Sequence, residues 1–206
     1  AIHGIALNLT KAGYLERALK AVESIKDEWD REEILDSLVS FLVESGQFNE
    51  AKKIVESTKN KQIKENLLEV IVLPLVKVGR LDDALKTAEK ISSKKIRDGK
   101  LEEIVNWLVK TGQFKKALKT VSVMSEDEKC VWIDDIIEKI PCDGPIEDII
   151  KSIKGIKNIG YRDLLLTSVS EWLSHCGRCK EALEIAKSIH DKELKAIALE
   201  EVRNVS

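Results

Sequence analysis

Apolar residues recur along this chain in two interlocked helical patterns, both in phase with a ladder of glycines. Gly13, Gly46, Gly79, Gly112, Gly144 and Gly177 stand 33, 33, 33, 32 and 33 residues apart. Two residues past each glycine comes Leu15, Phe48, Leu81, Phe114, Ile146 or Cys179. Five past comes Ala18, Ala51, Ala84, Ala117, Ile149 or Ala182. Nine past comes Val22, Val55, Ala88, Val121, Ile153 or Ala186, and twelve past Ile25, Thr58, Ile91, Met124, Ile156 or Ile189. Offsets of 2, 5, 9 and 12 follow a 3.6-residue period, so they predict one amphipathic helix per repeat. Alanine in the middle of that stripe lets a neighbouring helix approach closely.

A second helix is predicted after each of these. Asp27, Asn60, Ser93, Asn158 and Asp191 are N-cap residue types, and Ser125 with Glu128 reads as a capping box. The apolar rows that follow run Leu35, Leu68, Leu101, Ile133, Leu166, Leu199, then Leu38, Ile71, Ile104, Ile136, Val169, Val202. A third row is Leu42, Leu75, Leu108, Ile140 and Leu173, and the next ladder glycine ends each helix. Ile2, Ile5 and Leu9 are expected on the core face of one more such helix at the start. This makes thirteen helices, in six antiparallel pairs and a final helix at 191–205, with no strand and no linker. Pro74 falls inside one helix and is expected to kink it or remove a hydrogen bond.

The string Gly-x-Leu/Phe-x-x-Ala-x-x-x-Val-x-x-Ile resembles the second helix of the tetratricopeptide repeat, and the Leu/Ile rows match the large apolar positions of its first helix. The chain departs from that family in its period of 33, in lacking the usual tryptophan and terminal proline, and in placing Val39, Val72 and Val105 at the close-packing point. The resemblance implies an all-α, right-handed α-α superhelix of about six 33-residue helix pairs with a terminal capping helix, as one domain over 1–206. Apart from the resemblance, one pair cannot bury both of its apolar faces, and stacked pairs build a continuous core.

In such repeats the first helix lines a concave groove. Carried across residue by residue, the groove row ten before each glycine is His3, Asp36, Glu69, Glu102, Asp134 and Thr167, with Glu200 at the same phase. Three before each glycine stand Thr10, Val43, Val76, Val109, Pro141 and Ser174. The expectation is therefore a partner-binding stripe of Asp36, Glu69, Glu102 and Asp134 beside an apolar stripe of Val43, Val76 and Val109. The partner is expected to be a protein or peptide, which can be basic. Against this stands a plain solvated face. The recurring Arg31, Lys64, Arg97, Lys129, Arg162 and Lys195 are expected to pair with those acids and neutralise them. Phe41, Trp107 and Trp172 share one phase and are expected to pack between repeats, with an exposed binding anchor as the alternative.

Composition narrows the classes. The chain is 43% hydrophobic and 34% charged, enough for a core, which excludes disorder. It holds 34 basic against 36 acidic residues, so it is not a phosphate-backbone binder of the usual basic kind. No apolar run approaches a membrane span. Lys outnumbers Arg by 27 to 7 and Gln occurs three times, a heat-adapted bias. Four cysteines are too few for a secreted disulfide scaffold, so a cytoplasmic, reducing setting is the default. Cys142, His175, Cys176 and Cys179 could supply a zinc set or a Cys142–Cys176 disulfide, but packing is the first expectation for them. No catalytic motif or cofactor signature is present. The leading expectation is a non-enzymatic scaffold without a cofactor. The alternative is a regulatory or sensor repeat fragment of a larger protein, suggested by the start at Ala1 without Met. A nucleic-acid-binding repeat is a third reading, disfavoured by the acidic row. Oligomeric state is not legible.

Overall fold

The computed structural model describes residues 2–205, and these form thirteen α-helices with no strand among the described residues. The chain divides into two compact units, 1–100 and 101–206. The first holds α1 (Ile2–Lys11), α2 (Leu15–Glu23), α3 (Glu28–Glu44), α4 (Phe48–Ser57), α5 (Lys61–Lys77), α6 (Leu81–Ala88) and the start of α7 (Lys94–Lys110). The second continues α7 and adds α8 (Phe114–Val121), α9 (Glu126–Lys139), α10 (Ile146–Lys154), α11 (Ile159–His175), α12 (Cys179–Ser188) and α13 (Lys192–Val205).

Each unit alternates short and long helices in the predicted order. In the first, α3 packs on α1, α2, α4 and α5, and α5 also packs on α4 and α6. In the second, α11 packs on α9, α10, α12 and α13, while α8 packs on α9 and α10. The two stripes read from the sequence form the cores. Ala18, Ala51 and Ala84 in one unit and Ala117, Ile149 and Ala182 in the other are fully buried. So are Leu38, Ile104, Ile136 and Val169 of the long-helix rows. The offset-twelve residues lie past the ends of the short helices, in the connections, where Ile91, Met124, Ile156 and Ile189 still pack into the core. The short helix is therefore a turn shorter than its apolar period.

The caps explain the boundaries. Asp27, Asn60, Asn158 and Asp191 accept hydrogen bonds from the N–H groups of Asp30, Ile63, Tyr161 and Leu194 at 3.0–3.2 Å. At Ser125 the Glu128 carboxylate accepts from both the backbone N–H and the hydroxyl. At the other end, Gly46 takes φ +75°, its N–H bonds to Val43 O, and Gln47 N–H reaches back to Leu42 O at 2.7 Å. This is a Schellman closure, which needs a residue without a Cβ penalty at positive φ. Gly13, Gly79, Gly112 and Gly177 repeat it.

Gly144 does not. It follows Pro141, which holds Ile140 extended and ends α9 before the glycine is reached. A Cβ on Gly144 would stand 2.2 Å from Ile140 Cγ1 and 2.8 Å from Pro141 O, so this glycine is required for close approach. The short 32-residue step of the ladder is thus a change of turn type.

One further expectation is corrected. On α1 the buried residues are Ala6 and Thr10, while Ile2 and Ile5 are exposed. The rows that Ile2 and Ile5 belong to are buried only where a preceding pair covers them, and no described helix precedes α1. Pro74 lies inside α5, which continues unbroken to Lys77. The helix forgoes one N–H donor without ending there.

Candidate partner-binding face

The acidic row falls on the long helices, and each unit presents its own part. In the first unit, Asp36 is exposed on α3 and Glu69 half-buried on α5. They line a groove of about 410 Å³ with Glu32, Asn66 and Lys100. Asn66 Nδ2 donates to Glu32 Oε1 at 2.6 Å, tying the two helices together below the acids. Partial burial pushes the Asp36 carboxyl above its ordinary pKa, and the nearby Glu32 charge adds to this. An incoming cation would relieve the repulsion between Asp36 and Glu32.

In the second unit Glu102 is exposed and Asp134 half-buried, but Thr167 is buried and donates its hydroxyl to Asp163 O at 3.0 Å. The acidic centre there shifts to the row's neighbours. Burial raises the pKa of Glu171 on α11, and the charges of Glu201 on α13 and Asp134 on α9 raise it further, against a lowering by His175. Three successive long helices thus bring carboxylates within electrostatic reach of one another.

Val43, Val76 and Val109 are buried, so the expected apolar stripe is not open to a partner. Three residues before a glycine, the side chain turns into the core, as Thr10 does in α1. An exposed apolar row does exist, one helical turn before the acidic row. It comprises Val131 on α9, Leu164 on α11 and Ile197 on α13, at 68, 51 and 51% exposure. Val131 and Leu164 stand thirteen before a ladder glycine and Ile197 at the same phase, a register held by Glu33, Asn66 and Gly99 in the first unit. The switch from polar to apolar at one register is the sequence signal for this row. Asp134 stands three residues after Val131, Glu171 seven after Leu164, and Glu201 four after Ile197. At these spacings the acids and the apolar row share a helix face.

The basic row does not neutralise these acids. Arg31 donates to Ile25 O at 3.0 Å, Arg97 to Ile91 O at 3.2 Å, Lys64 to Glu56 O at 3.4 Å and Lys195 to Lys187 O at 2.6 Å. Lys64 and Lys195 reach back to a carbonyl in the last turn of the preceding short helix, and Arg31 and Arg97 to one in the connection just past it, near the negative end of the dipole. Phe41, Trp107 and Trp172 are half-buried. Trp172 Nε1 donates to Ile140 O at 3.1 Å, which fixes it between α11 and the end of α9.

Packing as the first expectation for Cys142 and Cys176 is also corrected. The loop after α9 and the last turn of α11 bring their Cα atoms to 5.4 Å, and the two form a disulfide. Their sulfurs are therefore not thiolates for a metal. Cys179 is free and half-buried, and His175 donates Nδ1–H to Glu171 O at 2.8 Å. Among the described residues no three His, Cys, Asp or Glu side chains stand together as a metal set. No helix among them is long and apolar enough to cross a membrane.

No family model matches the chain, and no curated protein matches its sequence. Among solved structures it matches Ton1535 from Thermococcus onnurineus NA1, at 14% identity. That match covers 100% of this chain and 99% of the other, with a TM-score of 0.29.

Proposed function

We propose that the chain is a tetratricopeptide-like solenoid scaffold, without enzymatic activity, that binds a protein or peptide on its long-helix side. The observation that carries this reading is the exposed row Val131, Leu164 and Ile197 beside Asp134, Glu171 and Glu201. Large aliphatic side chains left open at one register on three successive long helices cost solubility, and carboxylates crowded beside them cost stability. A segment bearing both apolar and basic side chains would relieve both costs. The groove at Asp36 and Glu69 offers further recognition of Lys or Arg. A cytoplasmic setting is retained in this reading. The Cys142–Cys176 bridge is compatible with it if the Lys- and Glu-rich composition reflects heat adaptation, where intracellular disulfides are common.

The test is affinity capture from source lysate. Wild type is run beside an Asp36→Lys, Glu69→Lys, Glu102→Lys, Asp134→Lys variant and a Leu164→Ser, Ile197→Ser variant, once circular dichroism shows all three folded. A partner held by wild type, released by salt and lost from either variant supports the reading. Equal capture by all three removes the long-helix side as the binding face.

A further inference from the structure

The short-helix side of the first unit holds a cavity of about 370 Å³, within the range of small-molecule sites. Its floor is the apolar face of α5 at Leu68, Ile71 and Leu75, with Phe48 of α4 closing one side. Lys52, Lys61, Lys64, Arg80, Lys86 and Lys90 surround it, against Glu56, Glu65 and Asp83.

Two of the three acids are already engaged. Glu56 takes Lys52 at 3.9 Å and Lys90 at 3.7 Å, and Asp83 takes Arg80 at 2.7 Å. Arg80 also lies 5.3 Å over the Phe48 ring, which sets one edge of the mouth. Lys61 and Lys86 have no hydrogen-bond or ion-pair partner among the described residues. The wall also contains Glu65, only 8% exposed, whose carboxylate has no hydrogen-bond or ion-pair partner among the described residues. No described protein group donates to it, so a ligand that brings an N–H or O–H would give it a partner.

We propose that this cavity binds a small organic anion. Its acidic group would meet Lys61 and Lys86, its apolar body would rest on Phe48, Leu68 and Leu75, and a donor group would face Glu65. The cationic rim selects an anion over a neutral or cationic molecule. The apolar floor excludes a bare phosphate or sulfate as the whole ligand, since neither would cover it. This site lies on helices α4, α5 and α6 and does not depend on the partner-binding reading.

The probe is 1-anilinonaphthalene-8-sulfonate, which carries a sulfonate, an aromatic body and one N–H. Titration of the folded protein should give one blue-shifted site per chain. Sub-micellar decanoate should displace the dye, while decyltrimethylammonium at the same concentration should not. Lys61→Glu, Lys86→Glu should weaken the dye at least tenfold, because both lysines are on the surface and unpaired. Glu65→Leu should weaken it severalfold, with folding checked by circular dichroism. Leu164→Ser, Ile197→Ser should leave the affinity unchanged. Unchanged affinity in the lysine variant, equal displacement by the cationic competitor, or loss of the dye in the Leu164, Ile197 variant would each overturn the proposal. The last outcome would place the dye on the exposed row of the second unit.

Discussion

Asp163, on α11, holds the connection into α13 through the backbone at His190. Its carboxylate is 1% exposed and accepts the N–H groups of His190 at 3.1 Å and Asp191 at 2.8 Å, with His190 Nδ1 at 3.4 Å. Burial alone would raise the pKa of this carboxyl. The hydrogen bonds from Asp191 and His190 outweigh it and hold the group below the ordinary carboxylate range.

The sign of the pH dependence follows. A folded pKa below the unfolded value near about 3.9 means that the ionised group stabilises the fold above that value. The contribution is lost as pH falls through the lowered folded value. Asp163→Ala leaves two part-buried N–H groups without a protein acceptor and should cost about 1–2 kcal/mol in urea unfolding at pH 7. Asp163→Asn should flatten the acid limb of the stability curve below about pH 4. An acid limb identical to wild type would show that the carboxylate does not carry the clamp.

The disulfide gives a prediction of a different kind. Cys142 and Cys176 are 34 residues apart, so the bridge closes a long loop in the unfolded chain. By the loop-entropy relation it should contribute about 3–4 kcal/mol. Cys142→Ser, or a reducing agent, should lower the urea midpoint accordingly, and Cys179→Ser should leave it nearly unchanged. If reductant has no effect on wild type, the bridge is absent in solution.

How far the chain is legible from sequence depends on whether a feature is set by neighbours within one helix or by packing between helices. Ala51 and Ile104 are buried where their period places them, because local spacing decides which face they occupy. Ile5 is exposed at the same period, because burial of that face requires a helix before it. Resemblance places Val43 on a binding face, yet it is buried in the core. Val131, Leu164 and Ile197 carry the exposed row, visible in the sequence only when that register is compared across repeats. The Cys142–Cys176 contact needs the changed turn around Pro141 and Gly144, which interrupts the ladder rather than continuing it.

The basic row should prove structural. Arg31 and Arg97 each donate to a carbonyl six residues back, in the connections just past α2 and α6. A cation at a helix C-terminus is worth about 0.3–1 kcal/mol, more where partly buried. Arg31→Met and Arg97→Met keep the aliphatic stem and should each cost about 1 kcal/mol in chemical unfolding. Neither should alter capture of a partner through Asp36 or Glu69. Unchanged stability with altered capture would instead assign these arginines to the binding face.

The carboxylates of the proposed face should behave in the opposite way. Glu171 has its pKa raised, first by burial and then by the charges of Glu201 and Asp134. A carboxyl whose folded pKa exceeds its unfolded value near about 4.3 costs stability once ionised. The cost grows as pH rises from the unfolded value through the raised folded one, and it is absent below both. Glu171 is only half-buried, so solvent screening limits the effect to less than about 1 kcal/mol. Glu171→Gln should therefore raise the urea midpoint slightly at pH 7 and leave it unchanged near about pH 3. The same substitution should weaken a basic partner, because it removes the charge that the partner neutralises. A gain in stability paired with a loss in binding is the pattern expected where a fold gives up stability for a site. A loss of stability at pH 7 would show instead that Glu171 belongs to the framework of α11 and that the acidic face is only its solvated surface.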